Sequence, residues 1–366
     1  MDHKTISFGE AIHEGMTQAM KLDKQVVCYG LGVGKTSNIF GTTDNLVKKF
    51  GKKRVFDTPS AESALTAMAT GMSLAGARPV LVHQRLDFMI YSMDQFANWI
   101  SVWSYKSGGK SVLPLTIRAI VGKGWGQGPQ HGKSLHTWFS HMPGLSVVTP
   151  SSPFEAKGLI LSSIFSNFPS LIIESRPIYS MKEDVPCEPY FIDPTKAFIR
   201  EEGSDITLVC FGSSVFETLE VSKKLKKKNI NAEVLDLRSL NPLDFETIIS
   251  SVAKTKRLAV IENGWPNCSI ASEVISKSTE KVILKDKPLK FNLVDNPEFM
   301  SLESWPGDPD LLCDRNKMEK YGFANYYDMI GARKDSNAPI KLKQYVEKLS
   351  TLRKSLRLYD EKLANI

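Results

Sequence analysis

The stretch from Phe56 to Phe88, FDTPSAESALTAMATGMSLAGARPVLVHQRLDF, constrains the fold of this chain more than any other. It reads as strand end, turn, helix and strand. Asp57, Thr58 and Pro59 break the preceding apolar run, and Glu62 falls in the first turn of the next helix. Ala64, Ala67, Met68, Gly71 and Leu74 then recur at three- and four-residue spacing, which predicts a buried helix face. The small residues Ala61, Ala64, Ala67, Ala69, Gly71, Ala75 and Gly76 allow close approach to a sheet or another helix. A carboxylate opening such a helix would be partly buried, and burial favours its protonated form. The plainer role for Glu62 is to favour the helix N-terminus through the macrodipole. Pro79-Val80-Leu81-Val82 is an apolar strand without polar alternation, as in a parallel sheet covered on both faces. His83, Gln84, Arg85, Leu86, Asp87 and Phe88 follow at its carboxyl end, where open α/β sheets place their ligands.

The rest of the chain repeats this alternation. Ile6 to Met20 predicts an amphipathic helix, Val26 to Tyr29 a strand, Asn45 to Phe50 a helix and Arg54 to Phe56 a strand. Met89 to Tyr105 reads as one long helix burying Met93, Phe96, Ala97, Ile100 and Trp103. Strands are expected at 113–121, 145–150 and 171–174, with a helix from Pro153 to Phe165. The prolines between Ser180 and Ile199 suggest a linker. A second series follows, with strands at 206–211, 232–235 and 258–261 and helices at 215–228, 242–253 and from Ser269. The expected fold class is therefore α/β, with two doubly wound domains. We divide the chain at 1–185, a linker 186–200, 201–330 and a tail 331–366. In that tail Leu342, Tyr345, Leu349, Leu352, Leu356, Tyr359 and Leu363 form a heptad seam, which suits docking on a neighbouring chain or on its own domain.

Two glycine-rich segments stand out. Gly30-Leu31-Gly32-Val33-Gly34-Lys35-Thr36 tempts a nucleotide P-loop reading, but that pattern needs glycine where Tyr29 stands. A surface loop after a strand is the better reading. The segment 122–134, GKGWGQGPQHGKS, carries Gln130 and His131 after a strand that should lie beside the His83 strand. Such loops are more often functional than idle.

Composition narrows the function. The net charge of +7 is modest, and the run Lys223, Lys224, Lys226, Lys227 and Lys228 lacks the interleaved aromatics of a single-strand binder. It reads as a solvated helix face. The five cysteines are scattered and form no C-x-x-C pair, which argues against a disulfide framework or zinc site and fits a reducing compartment. No apolar run approaches a membrane span and the N-terminus shows no leader pattern, so a cytoplasmic location is expected.

Several blocks carry a resemblance: ISFGEAIHEGM, RVFDTPSAES, DFMIYSMDQ, GPQHGKS, HMPGLSVVTPSSPFEAKGLI, DLRSLNPLD and IENGWPN. In this order they resemble the β subunit of the thiamine-diphosphate-dependent decarboxylating component of 2-oxo-acid dehydrogenase complexes, within the transketolase-like group. The resemblance covers residues 5 to about 295 and implies a pyrimidine-binding domain followed by a transketolase C-terminal-like domain. It implies that Glu62 hydrogen-bonds the aminopyrimidine ring nitrogen, that Phe88 stacks on that ring, and that His131 approaches the reacting carbonyl. Gln84 and Leu86 are expected at the same cofactor. A weakly acidic carbon of the cofactor must lose a proton, and a protonated glutamate on the pyrimidine favours the form that accepts it.

The family's GDG…NN signature for magnesium and diphosphate is not found here; Gly307-Asp308-Pro309 is not one. The resemblance therefore implies that Mg2+ and the diphosphate are held by a separate α subunit, in an α2β2 assembly, with a lipoyl acyltransferase as a further partner. Related β subunits hold a structural potassium ion near the stretch Ser163, Ile164, Phe165, Ser166, Asn167, Phe168, through carbonyls and an acidic residue. Here Ser166 takes the acidic position. The strand end His83-Gln84-Arg85 is polar where pyruvate- and branched-chain-specific members are largely apolar, which suits a hydroxylated or anionic substrate. Gln130, Trp125, Lys123 and His136 are further candidates for that mouth. The leading expectation is decarboxylation of a 2-oxo acid with acyl transfer. The rivals are a two-subunit transketolase-like or acyloin-forming enzyme acting on a sugar, and a non-catalytic assembly subunit.

Overall fold

The computed structural model describes residues 2–35, 38–122, 128, 130–282 and 290–293. The heptad tail, Lys123 and Trp125 lie outside the described residues. The chain opens with strand β1 (His3–Ser7) and helix α1 (Phe8–Leu22). Ser7 sets that boundary: its hydroxyl accepts from the Glu10 amide, and the Glu10 carboxylate accepts from the Ser7 amide at 2.7 Å. Strand β2 (Val26–Gly30), helix α2 (Leu46–Phe50) and strand β3 (Val55–Asp57) lead to helix α3 (Glu62–Leu74) and strand β4 (Arg78–His83).

The expected continuous helix after β4 is broken. A 3-10 turn (Leu86–Ser92) leads into α4 (Met93–Gln95), a π-helical turn (Phe96–Ile100) and α5 (Trp103–Lys106). The wider π turn keeps Phe96 and Ile100 buried while Ala97 faces out. Strand β5 (Thr116–Val121), α6 (His136–Ser140), β6 (Ser146–Val148), α7 (Pro153–Phe165) and β7 (Ser170–Ser175) complete the first half. Strands β8 (Lys182–Pro186) and β9 (Phe198–Glu201) are the unexpected elements, because the proline-rich stretch contributes to two sheets. β8 pairs antiparallel with β1, and β9 pairs antiparallel with β11. The second half runs β10 (Ile206–Cys210), α8 (Ser214–Lys226), β11 (Ala232–Asp236), β12 (Ser239–Asn241), α9 (Phe245–Thr255), β13 (Arg257–Ile261), α10 (Ile270–Val282) and β14 (Lys290–Leu293).

The larger sheet has the order β12-β6-β7-β5-β4-β2-β3, parallel except for β12. The second has the order β14-β13-β10-β11-β9, parallel except for β9. Alternation along β10 shows the double winding. Leu208 and Cys210 pack with Val215 and Leu219 of α8, while Val209 packs in the cluster that holds Ile248, Val252, Ala271 and Val274 of α9 and α10. The chain thus has a two-domain α/β fold. β12 follows β11 of the second sheet, yet it pairs with β6 of the first, with Ser239 opposite Val148 and Asn241 opposite Val147.

On one face of the larger sheet α1 packs on α7; a side chain at Gly15 would collide with Ile160. A buried polar group lies in the sheet. Arg118 Nε and Nη2 donate to the two Glu174 oxygens at 2.5 and 3.1 Å, Nη2 also donates to the Thr42 hydroxyl, and the Tyr179 hydroxyl donates to Glu174. Arg118 and Glu174 are both fully buried. On α3 the expected face is inverted. Ala64, Ala67, Met68, Gly71 and Leu74 are exposed, and Leu65, Thr66, Ala69, Thr70 and Ser73 are buried. Apolar spacing marks a packing face without saying what packs on it. The buried threonines bond back to their own helix, Thr66 to the Glu62 carbonyl and Thr70 to the Thr66 carbonyl.

Candidate active site

A cavity of about 290 Å3 lies at the carboxyl ends of β2 and β4. β2 is flanked by β3 on one side and β4 on the other, so the chain reverses its direction of travel across the sheet there. That is the switch point at which doubly wound sheets hold ligands. Gly30 ends β2 with φ +149°, and a Cβ there would run into the Val82 carbonyl. Glycine therefore lets the two strand ends close up beneath the cavity. Leu31 follows in the wall, and its carbonyl accepts from the Gln84 amide nitrogen at 3.0 Å. The glycine-rich loop thus contributes Leu31 to the cavity wall. Asp57 pins it by accepting from the Gly32 and Thr58 amides.

Glu62, His83, Gln84, Arg85 and Phe88 all line this cavity, with Leu31, Leu65, Val82 and Tyr91. Glu62 stands half-exposed at the N-terminus of α3, with Ser60 Oγ 3.5 Å from its carboxylate. His83 is buried, and burial holds its pKa down at about 4, so it is neutral at pH 7. The Thr66 hydroxyl lies 2.8 Å from the Glu62 carbonyl, 3.0 Å from the Ser92 hydroxyl and 3.2 Å from His83 Nε2, so one hydroxyl links all three groups. His83 thereby braces the first turn of α3 from below. Arg85 donates to the Gln84 carbonyl at 2.7 Å and lies over the Phe40 ring. Burial lowers its pKa, and Asp87 opposes the shift.

His131 meets the site through Phe88: the two rings are edge-on, with centroids 5.2 Å apart. His131 Nδ1 is buried without a hydrogen-bond partner among the described residues. The loop is fastened by a contact that the motif spacing did not reveal. Buried Asp87 accepts from the Lys133 amide at 3.3 Å and lies 3.5 Å from its ammonium. An acid beside Phe88 and a lysine beside His131 were the available signal.

Other expected site residues fall elsewhere. Leu86 is fully buried in the apolar core and is absent from the cavity wall, because the 3-10 turn directs it inward. Gln130 is exposed and outside the wall. His136 opens α6 and is 3% exposed, edge-on to Phe211 and 3.9 Å from Glu262. It belongs to the packing between the domains. Near the expected potassium position the Ile164 and Ser166 carbonyls accept from Arg78, and the Ser166 hydroxyl accepts from the Phe168 amide. The Ile164 and Ser166 oxygens are thus already engaged as hydrogen-bond acceptors. Among the described residues no helix is long and apolar enough to cross a membrane.

The chain is similar to known proteins. Residues 4–182 match the transketolase pyrimidine binding domain, and residues 195–303 match the transketolase C-terminal domain. The pyruvate dehydrogenase E1 component subunit beta of Staphylococcus epidermidis is 38% identical over 276 residues, covering 75% of this chain and 85% of that protein. The same figures hold for the subunit of that name from Bacillus subtilis. A split-gene transketolase solved as an inactive β4 tetramer aligns with a TM-score of 0.66 at 20% identity, covering 95% of this chain and 99% of that one. A transketolase variant from Pichia stipitis aligns with a TM-score of 0.54 at 14% identity, covering 80% of this chain and 48% of that one. These two structures speak to the fold. The chain belongs to the family of thiamine-diphosphate-dependent 2-oxo-acid dehydrogenase E1 β subunits, built from transketolase-type pyrimidine-binding and C-terminal domains.

Proposed function

We propose that this chain is the β subunit of a heteromeric thiamine-diphosphate enzyme that decarboxylates a 2-oxo acid and passes the acyl unit to a lipoyl arm. The observation that carries the reading is one cavity shared by Glu62 and Phe88, with His131 set edge-on to Phe88. This donor set fits the pyrimidine half of the cofactor. A carboxyl group suits a ring nitrogen, Phe88 offers an aromatic face, and Leu31, Leu65 and Val82 offer apolar contact. When bound, thiamine diphosphate supplies the electron sink for loss of the carboxylate. Glu62 would hold the ring nitrogen and the proton shared with it. The neutral His83 keeps α3 in place through Thr66 without adding a competing charge. His131 presents a donor to oxygen developing charge on the substrate, a role worth roughly 10²–10⁴-fold.

The diphosphate and Mg2+ are assigned to an α subunit, in an α2β2 assembly with a lipoyl acyltransferase as further partner. Two features support a companion chain: the sequence lacks a GDG…NN segment, and α3 exposes Ala64, Ala67, Met68, Gly71 and Leu74 directly after Glu62. A surface stripe of this kind is an expected protein contact. We propose residues 1–185 and 201–330 as the two domains, joined by 186–200, with 331–366 as a tail, in a cytoplasmic enzyme. Glu62→Gln in the enzyme reconstituted with its α subunit should lose at least about 10²-fold in turnover. Unchanged turnover would remove the catalytic assignment.

A second reading keeps the cofactor and changes the acceptor to a sugar or another polar ketone. The His83-Gln84-Arg85 wall favours it. Acyl transfer to a lipoyl domain, measured against ketol formation from a sugar phosphate, separates the two.

A further inference from the structure

We infer that Arg78 is a built-in monovalent cation: its guanidinium takes the Ile164 and Ser166 carbonyls, two of the positions at the end of α7 where the family resemblance places potassium, and it frees the fold of this chain from that ion. The last carbonyls of a helix have no partner within the helix and form the negative end of its dipole. At the end of α7 the Ile164 carbonyl and that of the C-cap residue Ser166 meet one group. Arg78 Nη1 donates to the Ile164 carbonyl at 3.1 Å and to the Ser166 carbonyl at 2.9 Å, and Nη2 donates to Asn167 Oδ1 at 3.4 Å. The guanidinium lies over the Phe165 ring, with its carbon 5.9 Å from the centroid. Nε faces Asp23, the C-terminal cap of α1, at 3.4 Å.

One side chain thus joins the ends of α1 and α7 to the first residue of β4. The segment after α7 in turn holds the entry to the sheet, because the Asn167 carbonyl accepts from the Leu113 amide and the Pro169 carbonyl accepts from the Ser146 amide. A free cation would have to share two carbonyls with a guanidinium that already donates to both, and like charges at that range repel strongly. The charge balance agrees. Position 166 is a serine whose hydroxyl is taken by the Phe168 amide, and the negative charge lies instead at Asp23, on the Nε side. A tethered cation cannot dissociate, so its stabilisation does not follow the concentration of an ion.

The test uses the full chain in potassium, sodium and choline chloride at equal ionic strength, so that screening is constant. Equilibrium dialysis against radioactive rubidium, a potassium probe, reads binding directly, and thermal unfolding reads stability. The expected result is no stoichiometric rubidium binding and melting temperatures that agree within about 1 °C. Arg78→Ala should melt about 3–8 °C lower, and Arg78→Lys should recover part of the loss because the ammonium restores charge without the planar fork. One rubidium bound per wild-type chain and displaced by potassium, or melting raised by potassium over choline, would overturn the proposal. So would an Arg78→Ala chain that melts at the wild-type temperature. The rubidium measurement needs no variant and decides the matter if Arg78→Ala does not fold.

Discussion

Acid should unfold this protein earlier than it unfolds a His83→Phe variant. An unfolded chain carries His83 with its ordinary pKa of 6.5, while burial holds the folded value at about 4. Above pH 6.5 neither state binds the proton, so the group does not affect stability. Below pH 6.5 the unfolded state takes the proton and the native state does not, so stability falls until the pH passes about 4, where both states are charged. At pH 5 the difference is about 2 kcal/mol, and its limit is about 3 kcal/mol, from 1.36 kcal/mol for each pKa unit. In melting temperature this is about 4–8 °C between pH 7 and pH 5. The assay is thermal unfolding of wild type and His83→Phe at half-unit intervals from pH 7.5 to 4.5 (about seven points in all), taking the difference between the curves. Groups common to both proteins cancel. Phenylalanine loses the bond to Thr66, so the variant's absolute stability will shift; only the slope against pH is diagnostic. Parallel curves for the two proteins would refute the reasoning, because they would mean that His83 reaches water or a counter-charge in the folded state.

Two further outcomes follow from the packing. Glu174→Gln leaves Arg118 fully buried without its counter-ion and should cost about 3–5 kcal/mol, seen as a melting temperature roughly 10 °C lower. A variant as stable as wild type would show that the pair is not the main support of that part of the sheet. Ala67→Arg, on the exposed stripe of α3, should leave thermal stability within about 0.5 kcal/mol of wild type while abolishing copurification of the α subunit; an intact complex would place the companion chain on another surface.

The sequence made some of this legible for reasons the structure explains. Helix α7 runs from Pro153 to Phe165 as expected, because Ser152 and Pro153 form a local start signal and the Ser152 hydroxyl accepts from the Glu155 amide. The apolar strands β4 and β5 were visible because a sheet covered on both faces needs no polar alternation. What failed depended on distant partners. β8 and β9 are strands only because β1 and β11 present edges to them, and nothing local in a proline-rich segment encodes that. The small-residue face of α3 was visible as a packing face, but spacing carries no information on whether the partner lies in the same chain. The helix after Phe88 gives way to a 3-10 turn and a π turn, which keep Met89, Phe96 and Ile100 in the core at a spacing that an α-helical period also describes. At the site, Glu62, Phe88 and the polar strand end were readable from residue type and position. His136 was misplaced because closeness to His131 in sequence does not survive the start of α6, which turns it towards Phe211. Asp87 and Lys133 went unnoticed as a pair because they are 46 positions apart.

The visit of Ser239–Asn241 to the edge of the larger sheet has a consequence for how the protein is made. A ribosome delivers β6 long before it delivers the segment that will cover it. Until then the nascent first domain carries an open ladder of amides and carbonyls, the kind of edge that recruits other chains. A gene truncated after residue 200 would fix that exposure permanently, and its product should form aggregates even though every pocket-lining side chain is present. Synthesis therefore has to run well past the proline-rich joint before the first domain is sealed.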